Sequence, residues 1–317
     1  MTIVKTRFVF NDNFWFSVKL SQIQTLIAIA ESGSIRAAAR RLNLTQPALS
    51  KGLQAFEEEL CVPLVHRTAR GVTLTAFGRA IVARGRGITL EFDRLREEVE
   101  QMRGAQGGRV LLAVAPSPAV LLLPSVLKRF HADNPGILVH VRESIFPDTL
   151  QWLREGQADI AVGAHPPSRK SAVSEFTTEK LYDNRLVVTA RRGHPQAQAR
   201  SLSELLDCDW LLHGPAEGPG SLYAPVFHAH GLTPPHARVI SDSFISTLSL
   251  LEHSDALSLL PERLIRHYTR AGRLIQLPLT ETMPHWDVSL ITRAQTPLTP
   301  MAQKMVEAFR RTAVAVD

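Results

Sequence analysis

Three short helical patterns follow one another between Leu20 and Leu60 with almost nothing between them, and that spacing limits the fold more than any other feature of the chain. Leu20, Ile23, Leu26, Ile27 and Ala30 recur at intervals of three and four, which puts one apolar face on a helix over Leu20–Glu31. Gly33-Ser34 breaks it, and Ser34 is a natural N-cap for a second helix whose inner stripe is Ile35, Ala38, Ala39 and Leu42. The small alanines let another helix cross closely. After the tight Asn43-Leu44 connection, Thr45 caps a third helix. Pro47 then falls in its first turn, where a missing N–H removes no intrahelical bond. Leu49, Leu53, Phe56 and Leu60 make the buried face. Two short helices joined by a minimal turn and braced by a third form the helix-turn-helix plan, although a plain small helical bundle has the same apolar stripes.

The outer face of the third helix separates these readings. Gln46, Ser50, Lys51 and Gln54 carry groups that bond base edges or phosphates, while Glu57, Glu58 and Glu59 are held back to the far end. A recognition helix needs that polarity, because its N-terminal turns enter the major groove. Charge agrees. The pI is about 9.7 and the net charge +6. Residues 1–110 hold 16 Lys and Arg against 10 Asp and Glu, whereas the remainder holds 20 of each. The basic excess therefore belongs to the N-terminal third, as a polyanion partner requires.

Beyond Leu60, two β-like runs, Leu64-Val65 and Val72–Leu74, flank a turn at Thr68–Gly71, so that Arg67 and Arg70 sit at the tip of a hairpin. Such a wing places arginines against phosphates or in a minor groove; a solvated loop is the alternative. The candidate DNA contacts are Ser34, Arg36, Thr45, Gln46, Pro47, Ser50, Lys51, Gln54, Arg67 and Arg70. Thr75 caps a long helix over 76–102, about 40 Å at 1.5 Å per residue. Ile81, Ile88, Leu95 and Met102 recur every seven residues, with Phe92 and Val99 filling the alternate seam. This stripe suits a dimer, or burial against its own domain; Gly85 and Gly87 weaken its first half. Residues 104–108, GAQGG, lack the Lys-Ser/Thr of a phosphate loop and read as a hinge.

From Arg109 onward strands and helices alternate, which argues a parallel sheet with right-handed crossovers. A helix is expected over Pro118–His131. Ligands in such sheets sit beyond strand C-termini and beside helix N-termini. That rule selects Ser117 and Pro118 after the first strand, and Ile145 and Phe146 after the second. It also selects Gly218, Gly220 and Ser221 in GPAEGPGS, and Ser243 and Phe244 at a further helix start. Plain strand-to-helix turns are the alternative for each.

Other classes find little support. Cys61 and Cys208 form no disulfide framework or zinc spacing, so a reducing cytoplasm is expected. The most apolar run, 110–127, is broken by Pro116, Pro118 and Pro124 and makes a poor membrane span. No Ser-His-Asp, CxxC, HExxH or paired-carboxylate motif appears, so an α/β enzyme is the weaker alternative and neither cofactor nor metal is expected. His228 and His230 face different directions on a helix. A solute-binding protein without DNA function would leave the basic third unexplained.

The motifs AESGSIRAAARRLNLTQPALSKGLQAFEEEL and RTARGVTLTAFG resemble those of LysR-type transcriptional regulators, specifically over about Leu20–Gly78 and weakly to the C-terminus. The resemblance implies a multi-domain chain: an all-α winged helix-turn-helix (20–78), a linker and dimerisation helix (76–103), the hinge (104–108) and an α/β effector domain (109–317). The last resembles a periplasmic binding protein, with subdomain I over 109–185 and 286–317 and subdomain II over 191–284. Two strands near 186–190 and 287–291 would cross between them. It further implies promoter DNA, a small anionic effector and self-association to a homotetramer as partners, with RNA polymerase for an activator. SPA after the first strand, GPG, and HSDALSLLP look most like regulators of aromatic sulfonate and aminobenzoyl compounds, hence an aromatic acid. The chain departs from the family pattern at Phe56, Cys61 and Val65. Cys61 stands where a helix-ending glycine is favoured and would take φ > 0 at a cost. Residues 1–17 have no counterpart in that pattern, and one reading starts translation at Val18.

Overall fold

The computed structural model describes residues 18–68, 71–103, 107–164, 175–214 and 218–314. Residues 1–17, Arg70, part of the expected hinge and residues 215–217 lie outside them. The described residues fall into two compact units that divide between Asp93 and Arg94.

The first unit begins with three helices, α1 (Leu20–Ser32), α2 (Ile35–Arg41) and α3 (Gln46–Leu60). Each break has a local cause. Gly33 takes φ +62 to end α1, and Ser34 Oγ accepts the Ala37 N–H at 3.5 Å to start α2. Thr45 Oγ1 accepts the Ala48 N–H at 3.4 Å to start α3, and Pro47 lies within its first turn. Leu26, Ile29, Ala38, Leu49, Leu53 and Phe56 are buried together, about 1% exposed or less. An antiparallel hairpin follows, β1 (Val65–Thr68) with β2 (Gly71–Leu74). Val72 N–H donates to Gly33 O at 3.0 Å, and a Cβ on Gly71 would lie 2.8 Å from the same carbonyl. The wing thus rests on the α1–α2 turn, at a spot only glycine fits.

The long helix α4 (Ala76–Met102) starts at Thr75, whose Oγ1 accepts the Gly78 N–H at 3.0 Å and donates to Pro63 O at 2.7 Å. Gly78 and Gly85, seven residues apart, mark where α4 touches its unit. A Cβ there would come within 2.1 Å of Leu64 O and 2.5 Å of Ile23 Cγ2. The glycine content expected only to weaken the helix is therefore a packing device at Gly85; Gly87 faces open space.

The second unit begins inside α4. Arg94, 7% exposed, lies 2.6 Å from Asp159 Oδ1 and donates to the carbonyls of Gly156 and Ala158, while Asp159 Oδ2 accepts the Leu111 N–H. Gln101 Oε1 accepts the Met301 N–H at 3.3 Å. The helix end is fixed to this unit about ten residues ahead of the expected hinge.

Thereafter come β3 (Gly108–Val114), α5 (Pro116–Leu121), α6 (Leu123–Asp133), β4 (Ile137–Glu143), α7 (Asp148–Arg154), β5 (Ile160–Ala164) and β6 (Phe176–Arg191). The second lobe holds β7 (Trp210–His213), α8 (Tyr223–His228), β8 (Ala237–Ser241), α9 (Phe244–His253), β9 (Ser258–Pro261), α10 (Glu262–Arg270) and β10 (Leu274–Gln276). The chain returns through β11 (His285–Arg293) to α11 (Pro300–Ala313). The helix expected over Pro118–His131 is two, because Pro124 can neither donate its N–H nor leave the residue before it helical without cost.

The main sheet runs β10-β6-β11-β5-β3-β4, with β9 also on β6. Only β3, β4 and β5 pair in parallel; β6, β9, β10 and β11 pair antiparallel, so the sheet is mixed rather than parallel. The reason is the crossing. β6 leaves the first lobe and β11 re-enters it, so the two run in opposite directions. β6 pairs with β11 as far as Arg185 and with β9 from Leu186, and Leu186 N–H donates to Pro284 O at 2.9 Å. The lobes meet there, slightly ahead of the expected crossing. Val110, Leu112, Val126, Met305 and Phe309 fill the first lobe, and Trp210, Tyr223, Phe227 and Leu257 the second. No helix among the described residues is long and apolar enough to cross a membrane.

Candidate functional site

In the first unit most of the expected DNA contacts are solvent-accessible. Arg36 on α2, and Thr45, Gln46, Pro47, Lys51 and Gln54 on α3, are exposed, with Ser34 and Ser50 partly so. Ser34 and Thr45 are occupied as caps, which leaves Gln46, Ser50 and Lys51 as the free side chains at the head of α3. Gln54 is committed toward the other end, since its Nε2 donates to Glu58 Oε1 at 2.8 Å. Arg67 is exposed on β1, and Arg70 lies outside the described residues.

The acidic end of α3 has a task that patterning did not reveal. Glu57 Oε1 accepts the N–H groups of Leu64 and Val65 at 2.7 and 3.2 Å, which ties the base of the wing to the helix. Glu59 accepts from Gln22 at 3.3 Å. Cys61 ends the helix at φ 53, the left-handed region expected to be costly for it.

In the second unit a cavity of about 70 Å³ lies between the lobes. Ala115, Pro116, Ser117 and Pro118 line it at the start of α5, Ile145 after β4, and Phe244 at the start of α9. Of the expected effector residues, Ser117, Pro118, Ile145 and Phe244 therefore come together. Phe146 points instead into an apolar cluster with Leu150, Leu153 and Ile291. Gly218, Gly220 and Ser221 form a short 3-10 turn ahead of α8 and are not in the lining; Ser221 N–H is used by Gly218 O at 3.0 Å. Ser243 is exposed and caps α9, its Oγ accepting the Ser246 N–H.

The rest of the lining comes from positions that strand-end reasoning passes over. Asn184, Leu186, Trp286 and Val288 project from β6 and β11, and His213, Leu259, Pro261 and Leu264 from the second lobe. Buried and exposed residues alternate along Tyr182–Leu186, but the inward Asn184 is as polar as its outward neighbours Asp183 and Arg185, so the sequence alone carried no mark of it. The polar groups form a chain: Ser117 Oγ is 3.1 Å from Tyr182 Oη and accepts from Asn184 Nδ2 at 3.4 Å. Asn184 is 4% exposed, and its Oδ1 is buried without a partner among the described residues. Burial pushes the Tyr182 phenol up to about 12, against the Ser117 hydrogen bond and the Arg263 charge, so it stays neutral. Burial likewise lowers His213, opposed by the Ser241 backbone and Asp242, and its Nδ1 lies 3.2 Å from Thr247 Oγ1. Around these, the walls are apolar, and among the described residues no Lys, Arg, Asp or Glu lines the cavity. Among the described residues no three His, Cys, Asp or Glu side chains gather as a metal site would need.

A winged recognition helix joined by α4 to a two-lobed unit with a cleft cavity is a recurrent combination. Residues 20–79 match the bacterial regulatory helix-turn-helix protein of the lysR family, and residues 103–314 match the LysR substrate binding domain. The chain belongs to the LysR family. It is a DNA-binding transcriptional regulator with a substrate-binding effector domain, and not an enzyme. Among LysR relatives, the SDS degradation transcriptional activation protein of a Pseudomonas strain is 30% identical over 292 residues, 90% of this chain and 94% of that one. The HTH-type transcriptional regulator GbpR of Rhizobium radiobacter is 29% identical over 75% of this chain and 80% of its own. The crystal structure of CbnR, a LysR family transcriptional regulator, superposes with a TM-score of 0.69 at 23% identity, covering 93% of this chain and 99% of that one.

Proposed function

We propose that Gln46 and Ser50 read base edges while Arg36, Lys51, Arg67 and Arg70 meet phosphates, and that the cleft cavity holds the effector. The observation that supports the second part most directly is the Ser117–Asn184 pair, polar, buried and incompletely satisfied within apolar walls. Such a site suits an apolar body with one compact polar head that donates to the unmet Asn184 Oδ1 and accepts from the Ser117 hydroxyl. An aromatic carboxylate or sulfonate carrying a hydroxyl or amino group would accept from the Ser117 hydroxyl and donate to Asn184 Oδ1, with its body against Phe244, Trp286 and Ile145. The name of the relative concerned with SDS, an alkyl sulfate, is in keeping with a sulfur oxyacid head.

Size adds a condition. An apolar cavity of roughly 150 Å³ is needed to hold benzene, and this one has about 70 Å³. An aromatic effector therefore enters only if the lobes part along β6 and β11. The affinity difference between parted and closed forms is then what the effector spends in shifting the regulator.

Self-association has its own support. Ile88, Phe92, Leu95, Val99 and Met102 on α4 are 46% to 75% exposed, an uncovered heptad seam of the kind two helices bury together. Leu138 on β4 and Ile240 on β8, at two sheet edges, are 66% and 60% exposed and offer a second surface for a tetramer. The place of action is the cytoplasm, where promoter DNA and, for activation, RNA polymerase are met.

The test is a thermal-shift panel of small aromatic carboxylates and sulfonates on the full chain, with Ser117→Ala beside it. A saturating effector raises Tm in the parent, since binding at a hundredfold Kd adds about 2.7 kcal/mol, and raises it less in Ser117→Ala. An equal rise in both would remove Ser117 from the site.

A further inference from the structure

Residues of the hinge strands alternate between two different environments. Asn184 and Leu186 on β6, and Trp286 on β11, line the apolar cavity. Their neighbours Asp183, Arg185 and His285 line a separate open concavity of about 440 Å³ on the other face of the ribbon. Opposite them stands α10, whose Arg263, Arg266, His267 and Arg270 follow the three-and-four spacing of one helix face and line the same concavity.

The charges there do not cancel. Asp183 is paired with Lys180 at 2.7 Å, and Glu262 with Arg266 at 2.7 Å. Arg185 and Arg270 have no carboxylate partner among the described residues. Arginine cations thus converge from β6 and α10, with His285 of β11 beside them, on a space of the size that holds small molecules. Guanidinium forks match phosphate and carboxylate oxygens two at a time.

We propose that this concavity is a second ligand site, for a small molecule bearing at least two negative charges, such as a phosphorylated or polycarboxylic metabolite. It is chemically unlike the cleft cavity, whose walls are apolar and hold no charged side chain among the described residues. It also shares structure with it. Arg263 lies 5.5 Å from the ring of Tyr182, whose hydroxyl meets Ser117, and Leu264 beside it lines the cleft. A polyanion drawing α10 toward β6 and β11 would bear on the cleft walls directly, so the two ligands would be felt through one hinge.

Calorimetric titration of the full-length protein with inorganic pyrophosphate tests the proposal. The expected result is saturable binding at one site per chain, weakened at least tenfold in Arg185→Gln/Arg270→Gln and largely kept in Arg185→Lys/Arg270→Lys. Because the N-terminal unit is itself basic, Arg36→Gln/Lys51→Gln is titrated in parallel and is expected to bind as the parent does. Binding that is lost in that variant but kept in Arg185→Gln/Arg270→Gln would place the anion on the first unit and overturn the proposal. So would the absence of saturable binding at millimolar pyrophosphate. Both arginines are exposed, so the variants are expected to fold, and the lysine pair separates loss of charge from loss of structure.

Discussion

Asn184 donates to Ser117 across 3.4 Å while its own carbonyl oxygen, fully buried, meets no donor among the described residues. A buried polar group left so costs roughly 1–3 kcal/mol, an expense to the free protein that the proposed effector would relieve.

Asn184→Leu removes the unmet acceptor and keeps most of the volume. Its free form is expected to melt at the parent temperature or above, while the effector-induced shift and the transcriptional response are lost. Thermal melts with and without effector, beside a reporter assay, check this; a free form that melts well below the parent would contradict it.

Replacing Gln46 and Ser50 by alanine is expected to remove preference for the cognate operator, at about 1–3 kcal/mol for each paired base contact, while weak binding to random DNA persists. Lys51→Gln should instead weaken both and lower the salt dependence. Gel-shift titrations over a range of salt distinguish the two, and equal loss on both DNAs in the Gln46/Ser50 variant would argue against base reading.

Cys61 holds φ 53, where a side chain crowds the backbone, and it is exposed. Cys61→Gly is expected to raise the stability of the first unit by about 1 kcal/mol. Gly78→Ala should do the reverse by several kcal/mol, because its Cβ would meet Leu64 O at 2.1 Å. Chemical denaturation followed by circular dichroism reads both signs.

His213 titrates lower in the folded chain than the ordinary imidazole value of about 6.5 because it is buried. As pH falls through about 6.5 the unfolded chain takes up a proton that the folded one refuses, so stability is full above that value and declines below it. The parent should lose more stability between neutral pH and pH 5 than His213→Asn does. Identical pH profiles for the two would refute this.

Much of this architecture was legible before any coordinates, for identifiable reasons. The helix-turn-helix follows from local chemistry, namely the caps at Ser34 and Thr45, Pro47 in a first turn, and three-and-four spacing. Ser117 and Phe244 follow from a rule about strand ends and helix starts. What escaped was set by partners distant in sequence. Asn184 and Trp286 reach the cavity because β6 and β11 pair there, roughly a hundred residues apart. Arg94 looks like one more charge on a solvated helix until Asp159 is placed beside it. The expectation of a parallel sheet failed at the return strands, whose direction is dictated by the two-lobed plan rather than by any repeat along the chain.

The carboxylate of Glu57 grips the backbone at Leu64 and Val65, so recognition helix and wing form one rigid calliper. Neither jaw can be adjusted without the other. Under the DNA contacts proposed above, each protomer would present helix and wing as one gauge, and tuning of the distance between half-sites would fall to how protomers are held together rather than to either reading head.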